Sequence, residues 1–424
     1  MPQRNRLNEM LSSLVRHGAS FLERPPSVDA DPEEMVRLCR TLLETEAEPT
    51  GMVLAAQILT AYGTASTDDR LAFFRALATG FDPDITALRA ALDAHEAENT
   101  ADTLAALGAA AEPPRQDLFR RLNTAPGGTA MLVEMRRNLL ALMRDHPDLR
   151  RVDADLRHLL VSWFNRGFLI LQSIGWGTSA EVLEKIIAYE AVHEIASWDD
   201  LRRRLRPPDR RCFGFFHPAL PREPLIFVEV ALTRGIPGDI GALLAEDREA
   251  IDAREADTAV FYSISNCQAG LAGISFGNSL IKQVVEELTR DLPGLKSFVT
   301  LSPIPGLVRW LEKTGRTVPK QPQAFRALAA LYLLEAKRDD GSPVDPVARF
   351  HLGNGAQVHA VHAEADLSEN GLAQSGGTMV NYLYNLPRIA RNHEAFIADG
   401  TVAASSEVRA LAAEARRRRN AQKP

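Results

Sequence analysis

The stretch TAVFYSISNCQAGLAGISFGNSLIKQVVEEL, residues 258–288, decides the fold of the second half of the chain. It opens with β-branched and aromatic residues, TAVFYSIS (258–265), which are typical of a strand. A glycine-rich turn follows, and apolar residues at helical spacing then predict an amphipathic helix from about Ile274 to Leu288. Strand, turn and helix in this order predict a mixed α/β domain.

Further strand-like segments lie on both sides of this stretch and alternate with helical patterns. They are GFLILQSI (167–174), CFGFFH (212–217), PLIFVEVAL (224–232) and KSFVTLSPI (296–304). The mixed α/β prediction therefore covers residues 161–424.

The first 160 residues have a different character, because apolar side chains recur there at helical spacing almost throughout. Asp31 followed by Pro32 and two acidic residues is typical of a helix start, with the aspartate as N-cap. Ser66 to Asp69 has the same character before the apolar run that ends at Gly80. Residues 1–160 are therefore predicted to form an all-helical domain, and the chain as a whole is predicted to be α+β.

Composition narrows the class of protein. The 424 residues are 45% hydrophobic and 25% charged, with a net charge of −6, which argues against a dedicated nucleic-acid or anionic-membrane surface. No apolar run reaches the roughly 20 residues that a membrane helix needs. The three cysteines, Cys39, Cys212 and Cys267, have no C-x-x-C spacing, so neither a disulfide framework nor a zinc knuckle is predicted. We expect a soluble cytoplasmic protein.

The glycine-rich turn is a candidate phosphate site. Gly270, Gly273 and Gly277 would let backbone N–H groups approach a ligand, and the following helix start would favour a pyrophosphate. A tight packing turn explains three glycines equally well. No Gly-Lys-Ser/Thr follows, and G-x-G-x-x-G is absent, so the segment fits neither a Walker loop nor a dinucleotide fingerprint.

The same turn contains a G-x-S-x-G pattern centred on Ser275, which is the nucleophile elbow of α/β-hydrolases. That elbow requires a strand to end almost at the first glycine. Here the strand signal ends near Ser265, so the elbow interpretation is disfavoured.

Two further residues could carry acid–base chemistry. Ser302 lies at the C-terminal end of the predicted strand 296–304 and precedes a proline, and this end of a strand is where ligands usually bind. His351 precedes a Gly-Asn-Gly turn, and a histidine beside a loop could donate a proton near neutral pH. A turn-forming serine and a structural histidine are the commoner explanations of each. His359 and His362 fit no strong ligand motif, so no metal site is predicted.

Several motifs in one order resemble malonyl-CoA decarboxylase. They are SWFNRGFL (162–169), EAVHEI (190–195), EPLIFVEVALT (223–233), the glycine-turn segment (261–288), LSPIPG (301–306), VARFHLGNGA (347–356) and the Asn381-Tyr382 region. The resemblance spans nearly the whole chain and is densest from residue 160 to residue 385.

The resemblance implies a helical N-terminal domain that mediates oligomerisation, as a dimer or tetramer, and a C-terminal domain of the GNAT acetyltransferase fold. It implies that Ser302 and His351 are the catalytic pair. It also implies a loop for the pyrophosphate of CoA, although Leu271 stands where acetyltransferases usually have their first glycine. The loop residues are Gln268, Gly270, Ala272, Gly273, Ile274, Ser275, Phe276, Gly277 and Asn278.

The implied reaction converts malonyl-CoA to acetyl-CoA and CO2, as part of fatty acid metabolism. Neither a metal nor an organic cofactor is expected, because the thioester carbonyl is itself the electron sink. His351 would deliver the proton, and Ser302 would hold or relay protons beside the malonyl carboxylate or thioester oxygen.

Three alternatives remain open at the level of sequence. An acyltransferase of the same fold would share the CoA loop but need an acceptor. A CoA-thioester hydrolase would use Ser275 as its nucleophile. A non-catalytic scaffold would bind acyl-CoA without turning it over.

Overall fold

The computed structural model describes residues 30–274, 280–316, 318–319 and 321–421, which divide into two compact units. One unit takes the described residues up to Phe164 together with the segment that begins at Ala269. The other takes Asn165–Gln268 and the described residues that follow position 276. The predicted division between residues 160 and 161 falls inside a helix, Arg150–Trp163, so the observed division comes four residues later.

The first unit is helical, as its apolar spacing predicts. Asp31 caps the first helix by accepting from the Glu34 N–H, and Ser66 forms a reciprocal capping box with Asp69. The helices are α1 (Pro32–Glu44), α2 (Glu48–Thr64), α3 (Thr67–Gly80), α4 (Ile85–Ala97), α5 (Ala101–Ala111), α6 (Pro114–Leu122), α7 (Gly128–Leu142) and α8 (Arg150–Trp163).

The second unit is built on a mixed sheet of eight strands. The strands are β1 (Ile170–Ile174), β2 (Arg210–Phe216), β3 (Ile226–Thr233), β4 (Thr258–Asn266), β5 (Ser297–Thr300), β6 (Ser302–Pro303), β7 (Gln357–His362) and β8 (Met379–Leu383). Their order is β1-β2-β3-β4-β5-β8-β6, and β7 also pairs with β8. The pairing of β4 with β5 is parallel, and every other pairing in this sheet is antiparallel.

Helices of the second unit connect these strands. They are α9 (Ala180–Tyr189), α10 (Trp198–Leu205), α11 (Ile240–Leu244), α12 (Leu280–Asp291), α13 (Leu307–Lys313), α14 (Pro322–Glu335), α15 (Pro346–Gly353), α16 (Glu369–Ser375), α17 (Ile389–Asp399) and α18 (Ser406–Ala421). The predicted helix after the glycine turn is α12, and the first part of its predicted span, residues 275–279, lies outside the described residues. No helix in the described ranges is long and apolar enough to cross a membrane.

The sheet opens between β4 and β5. The two strands pair from Thr258 with Ser297 to Phe261 with Thr300 and then part. Beyond that point β4 continues along β3 to Asn266. The residues after β5 pair with β8 instead, where Ser302 of β6 lies opposite Val380. This mixed sheet, connected by helices, confirms the mixed α/β fold expected for the second half of the chain.

Candidate active site

A cavity of about 250 Å³ lies where β4 and β5 part. Its lining includes Val192, Phe261, Ile264, Ser302, Phe350 and His351. The two residues that the sequence predicts to be catalytic therefore line one cavity.

Ser302 and His351 are 49 positions apart in the sequence but in contact in the fold. The Ser302 Oγ lies 3.3 Å from the His351 Nε2, and both residues are buried, at 6% and 3% exposed. The strand predicted over residues 296–304 is two short strands in the structure, and Ser302 opens the second of them, β6, two residues after the end of β5. The structure thus brings the predicted pair within hydrogen-bond reach.

His351 occupies the last turn of α15, just before the Gly-Asn-Gly turn that the sequence predicts. The N-terminus of this helix is capped by the buried Asp345 through the Ala348 N–H. Its ring stacks on Tyr382 at a centroid distance of 4.6 Å, and its Nδ1 lies 2.8 Å from the Tyr384 hydroxyl. Helix, stacking and hydrogen bonds together hold the imidazole in one orientation.

Burial keeps this imidazole neutral. Loss of contact with water disfavours the charged form and lowers the pKa of His351 to about 3. His351 can donate a proton only as a neutral N–H, and the partner of its other nitrogen then decides which nitrogen carries the hydrogen.

The hydrogen bonds around the pair fix that choice. Ser302 Oγ donates to Thr300 Oγ1 at 2.8 Å, so the serine has no second hydrogen to give to the histidine. The pattern is satisfied when His351 donates its Nε2–H to Ser302 and its Nδ1 accepts from the Tyr384 hydroxyl. A chain of donors then runs from Tyr384 through His351 to Ser302.

The sequence did not single out Thr300 and Tyr384. Thr300 ends β5 and Tyr384 follows β8, and neither has a motif of its own. Asn381 on β8, noted only within a matching region, donates to the Thr300 carbonyl at 2.8 Å. The one sequence signal that could have pointed to Thr300 and Tyr384 is their position at or just after the end of a strand.

Arginine side chains of the helical unit hold the backbone of the glycine segment after β4. The buried guanidinium of Arg136 donates to the carbonyls of Gly270 and Ala272, at 2.7 and 2.9 Å. Arg157 donates to the carbonyl of Gly273, which has a positive φ of 74°. A Cβ on Gly270 would lie 1.9 Å from the Val133 carbonyl oxygen. Close packing therefore requires the glycine at 270.

The structure describes only some of the remaining residues of the predicted CoA loop. Gln268 donates to the Pro224 carbonyl, and Ile274 is buried with its N–H on the Leu271 carbonyl. Ser275, Phe276, Gly277 and Asn278 lie outside the described residues. The strand β4 ends at Asn266, and a 3-10 turn, Ala269–Leu271, comes before the first glycine of the G-x-S-x-G pattern, which is not the geometry of a nucleophile elbow.

His359 and His362 both lie on β7. His362 Nε2 contacts the Asn381 side-chain oxygen, and His359 is half-buried. Among the residues that the structure describes, no group of three or more His, Cys, Asp or Glu side chains could hold a metal ion.

Family models and curated relatives agree on one family. The model of the malonyl-CoA decarboxylase C-terminal domain matches residues 167–324 and 316–422, and that of the N-terminal domain matches residues 81–164. The mitochondrial malonyl-CoA decarboxylase of Anser anser anser is 36% identical over 347 residues, 70% of this chain and 69% of the relative. The mitochondrial malonyl-CoA decarboxylase of Rattus norvegicus is 34% identical over 354 residues, which are 71% of this chain and 72% of the relative.

Solved structures extend this similarity to the fold. A crystal structure of malonyl-CoA decarboxylase from Rhodopseudomonas palustris is 52% identical, with a TM-score of 0.85 over 90% of this chain and 99% of that one. A crystal structure of malonyl-CoA decarboxylase from Agrobacterium vitis is 50% identical, with a TM-score of 0.85 over 89% of this chain and 99% of that one. This chain belongs to the malonyl-CoA decarboxylase family of enzymes.

Proposed function

We propose that the cavity between β4 and β5 is where malonyl-CoA loses CO2, and that Ser302 and His351 carry the proton transfer. The observation that supports this most is the contact between Ser302 Oγ and His351 Nε2 in the wall of a buried cavity. Positioned groups of this kind typically contribute 10²–10⁴-fold to a rate.

The reaction places simple demands on the protein. Cleavage of the bond between the α-carbon and the carboxylate sends its electron pair toward the thioester carbonyl, which gives an enolate and CO2. A proton must then reach the α-carbon to give acetyl-CoA. The thioester carbonyl accepts the electrons by itself, so we propose that no metal or organic cofactor takes part. Unchanged turnover after exhaustive dialysis against a chelator is the expected result.

The order of the hydrogen bonds supports a division of labour. His351 supplies the proton from its Nε2 and Ser302 Oγ relays it toward the α-carbon, because the imidazole already points this N–H at the serine. The ring becomes an anion as the Nε2 proton leaves, and the Tyr384 hydroxyl stabilises that charge because it donates to the opposite nitrogen. A proton taken up from solvent restores the Nε2–H after the product departs, so one proton is consumed for each CO2 released.

The cavity itself favours loss of CO2. Phe261, Ile264 and Phe350 give it apolar walls, so a carboxylate that enters is removed from bulk water. The enolate spreads its charge over the thioester and depends less on that hydration. We further propose that the segment from Gln268 to Asn278 holds the CoA pyrophosphate, because it follows directly on β4, whose last residue, Asn266, lines the cavity.

The test is turnover of malonyl-CoA by single variants of the pair. Ser302→Ala and His351→Gln should each lower kcat for CO2 release by about 100-fold or more. Ser173→Ala and His158→Gln are matched controls at exposed positions and should keep normal turnover. Near-normal CO2 release from a folded Ser302 or His351 variant would contradict the proposal.

The same assay separates the alternatives. Acetyl-CoA formed from malonyl-CoA alone, with no acceptor present, excludes acyl transfer as the only activity. Free CoA that still forms in Ser302→Ala but disappears in Ser275→Ala would favour a hydrolase. Binding of malonyl-CoA without any turnover would favour a scaffold.

We also propose a homo-oligomer formed through the helical unit. Helices α4 and α5 bury none of their side chains, and they expose Ile85, Leu92 and Leu104 at 57%, 43% and 58%. Contiguous exposed apolar side chains of this kind mark interaction surfaces. Leu104→Glu should shift the mass in solution, measured by light scattering, toward the monomer, and an unchanged mass would contradict this interface.

A cytoplasmic location is proposed as well. The three cysteines are free and buried, which fits a reducing compartment. A role in fatty acid metabolism follows from the substrate. Cell fractionation with an antibody to the chain tests the location.

A further inference from the structure

One wall of the cavity comes from outside the sheet. Val192 lines the cavity and belongs to the short segment between α9 and α10. This segment contributes no strand and no helix of its own, so its position depends on side chains that hold its backbone. The lining also includes Phe261 and Ile264 of β4.

The Glu190 carboxylate ties this segment to β4. Its Oε1 accepts from the backbone N–H groups of Val192 and His193, both at 2.8 Å. The same carboxylate accepts from Ser263 Oγ at 2.7 Å and from Ser265 Oγ at 3.2 Å, and both serines lie on β4. One side chain therefore links the backbone at Val192 to β4, and both contribute to the lining of the cavity.

An arginine side chain holds the backbone carbonyls of the same segment. The buried Arg204 donates to the carbonyls of His193 and Glu194, at 2.7 and 2.8 Å. Its charge is matched by Glu229 Oε2 at 3.2 Å and by Asp200 Oδ2 at 3.3 Å. A carboxylate on the N–H groups and a guanidinium on the carbonyls leave this stretch little freedom to move.

We propose that Glu190 is a positioning residue that fixes the Val192 wall, and that this wall makes the enzyme select malonyl-CoA over malonyl-CoA substituted at the α-carbon. The inference rests on the proposed function, because it requires the reaction to take place in this cavity. A fixed wall leaves no room for an added methyl group, whereas a wall that can retreat accepts one. A single methyl group in an apolar pocket changes selectivity by roughly 10–200-fold.

The readout is the ratio of kcat/KM for malonyl-CoA to kcat/KM for methylmalonyl-CoA. This ratio does not depend on how much of a preparation is folded, so a variant that merely unfolds in part leaves it unchanged. Glu190→Ala removes the whole link and should lower the ratio about tenfold or more. Val192→Ala removes the wall while leaving the carboxylate in place, and it should lower the ratio to a similar extent.

Two variants serve as matched controls. Glu190→Gln keeps an oxygen for the Val192 and His193 N–H groups, and its amide can donate to the serine hydroxyls, so the ratio should stay within about threefold of wild type. Glu181→Ala removes a glutamate of α9 whose bonds are to surface cations, and the ratio should not change.

Each outcome has a clear meaning. A lowered ratio in Glu190→Ala and Val192→Ala, with Glu190→Gln close to wild type, supports the proposal. An unchanged ratio in either alanine variant overturns it, as does an equal loss of selectivity in Glu181→Ala. If Ser302→Ala retains normal turnover in the same assays, the proposed function fails. If that variant is inactive and only the ratios are unchanged, the Glu190 inference alone fails.

Discussion

The imidazole of His351 stacks on Tyr382, and its two nitrogens face the hydroxyls of Ser302 and Tyr384. Among the residues that the structure describes, none offsets the cost of charging this buried ring, and burial alone lowers its pKa. The neutral ring can donate from Nε2 and accept at Nδ1 at the same time. This arrangement suits a proton relay.

The lowered pKa of His351 predicts how stability changes with pH. In the unfolded chain this histidine titrates near 6.5, whereas in the folded protein its pKa is about 3. As the pH falls below 6.5, the unfolded state binds the proton first, so the folded state loses stability. Between pH 7.5 and pH 5 the wild type should lose about 2 kcal/mol more than His351→Gln. Urea unfolding at the two pH values measures this, and equal losses would contradict a buried neutral ring.

The sequence identifies only part of this site. Ser302 and His351 stand out through the family motifs around them, because a serine before a proline and a lone histidine usually have structural roles. Thr300 and Tyr384 have no such motif, and they reach the site only because β5 and β8 pair in the sheet. Contacts that depend on strand pairing across about 80 residues leave no local pattern to read.

At the scale of single elements, α15 carries His351, the histidine proposed to act in proton transfer, and depends on its N-cap. Asp345 is 1% exposed, and its Oδ1 accepts from the Ala348 N–H at 2.9 Å. Asp345→Ala should therefore lower the free energy of unfolding by about 1 kcal/mol and reduce kcat, because the helix that orients His351 loosens. Asp345→Asn keeps a capping oxygen and should be close to wild type. Thermal unfolding and turnover check both variants, and equal behaviour of the two would argue against the cap.

The glycine segment allows a second test at this scale. A methyl group at position 270 would collide with the Val133 carbonyl, so Gly270→Ala should cost about 1–3 kcal/mol of stability. The displaced segment should also raise KM for malonyl-CoA severalfold, if it holds CoA as proposed. Gly108→Ala is the matched control, since nothing lies within 4 Å of that position and alanine favours a helix. Wild-type stability and KM in Gly270→Ala would contradict the packing described.

Element prediction succeeds where periodicity is strong. The strands predicted around 258–265 and 224–232 are confirmed within two residues as β4 and β3. The turn predicted from Gly353 to Gly355 is confirmed at Asn354 and Gly355, but the helix start at Asp345 and Pro346 passes unnoticed, so α15 is missed. In that stretch the N-terminal signals, rather than the glycines, determine the conformation of residue 351.

At the scale of the whole chain, the two units do not follow the sequence in a simple order. The helical unit includes the segment from Ala269, which the chain reaches only after β4. The contact that ties it there, from Arg136 to the Gly270 carbonyl, joins residues 134 positions apart. Composition and periodicity predict the division into a helical half and an α/β half, but a buried arginine bonded to distant carbonyls has no signature in sequence.

The whole account depends on Ser302 and His351 acting as one unit, and a double-variant cycle on kcat for CO2 release from malonyl-CoA tests this most directly. Each single change, Ser302→Ala or His351→Gln, removes the relay, so each should lower kcat about 100-fold or more. The double variant should then be no more than about threefold slower than the slower single variant, because residues that act together are not additive. Losses that multiply to about 10⁴-fold, or a single variant with near-normal kcat, would contradict the relay.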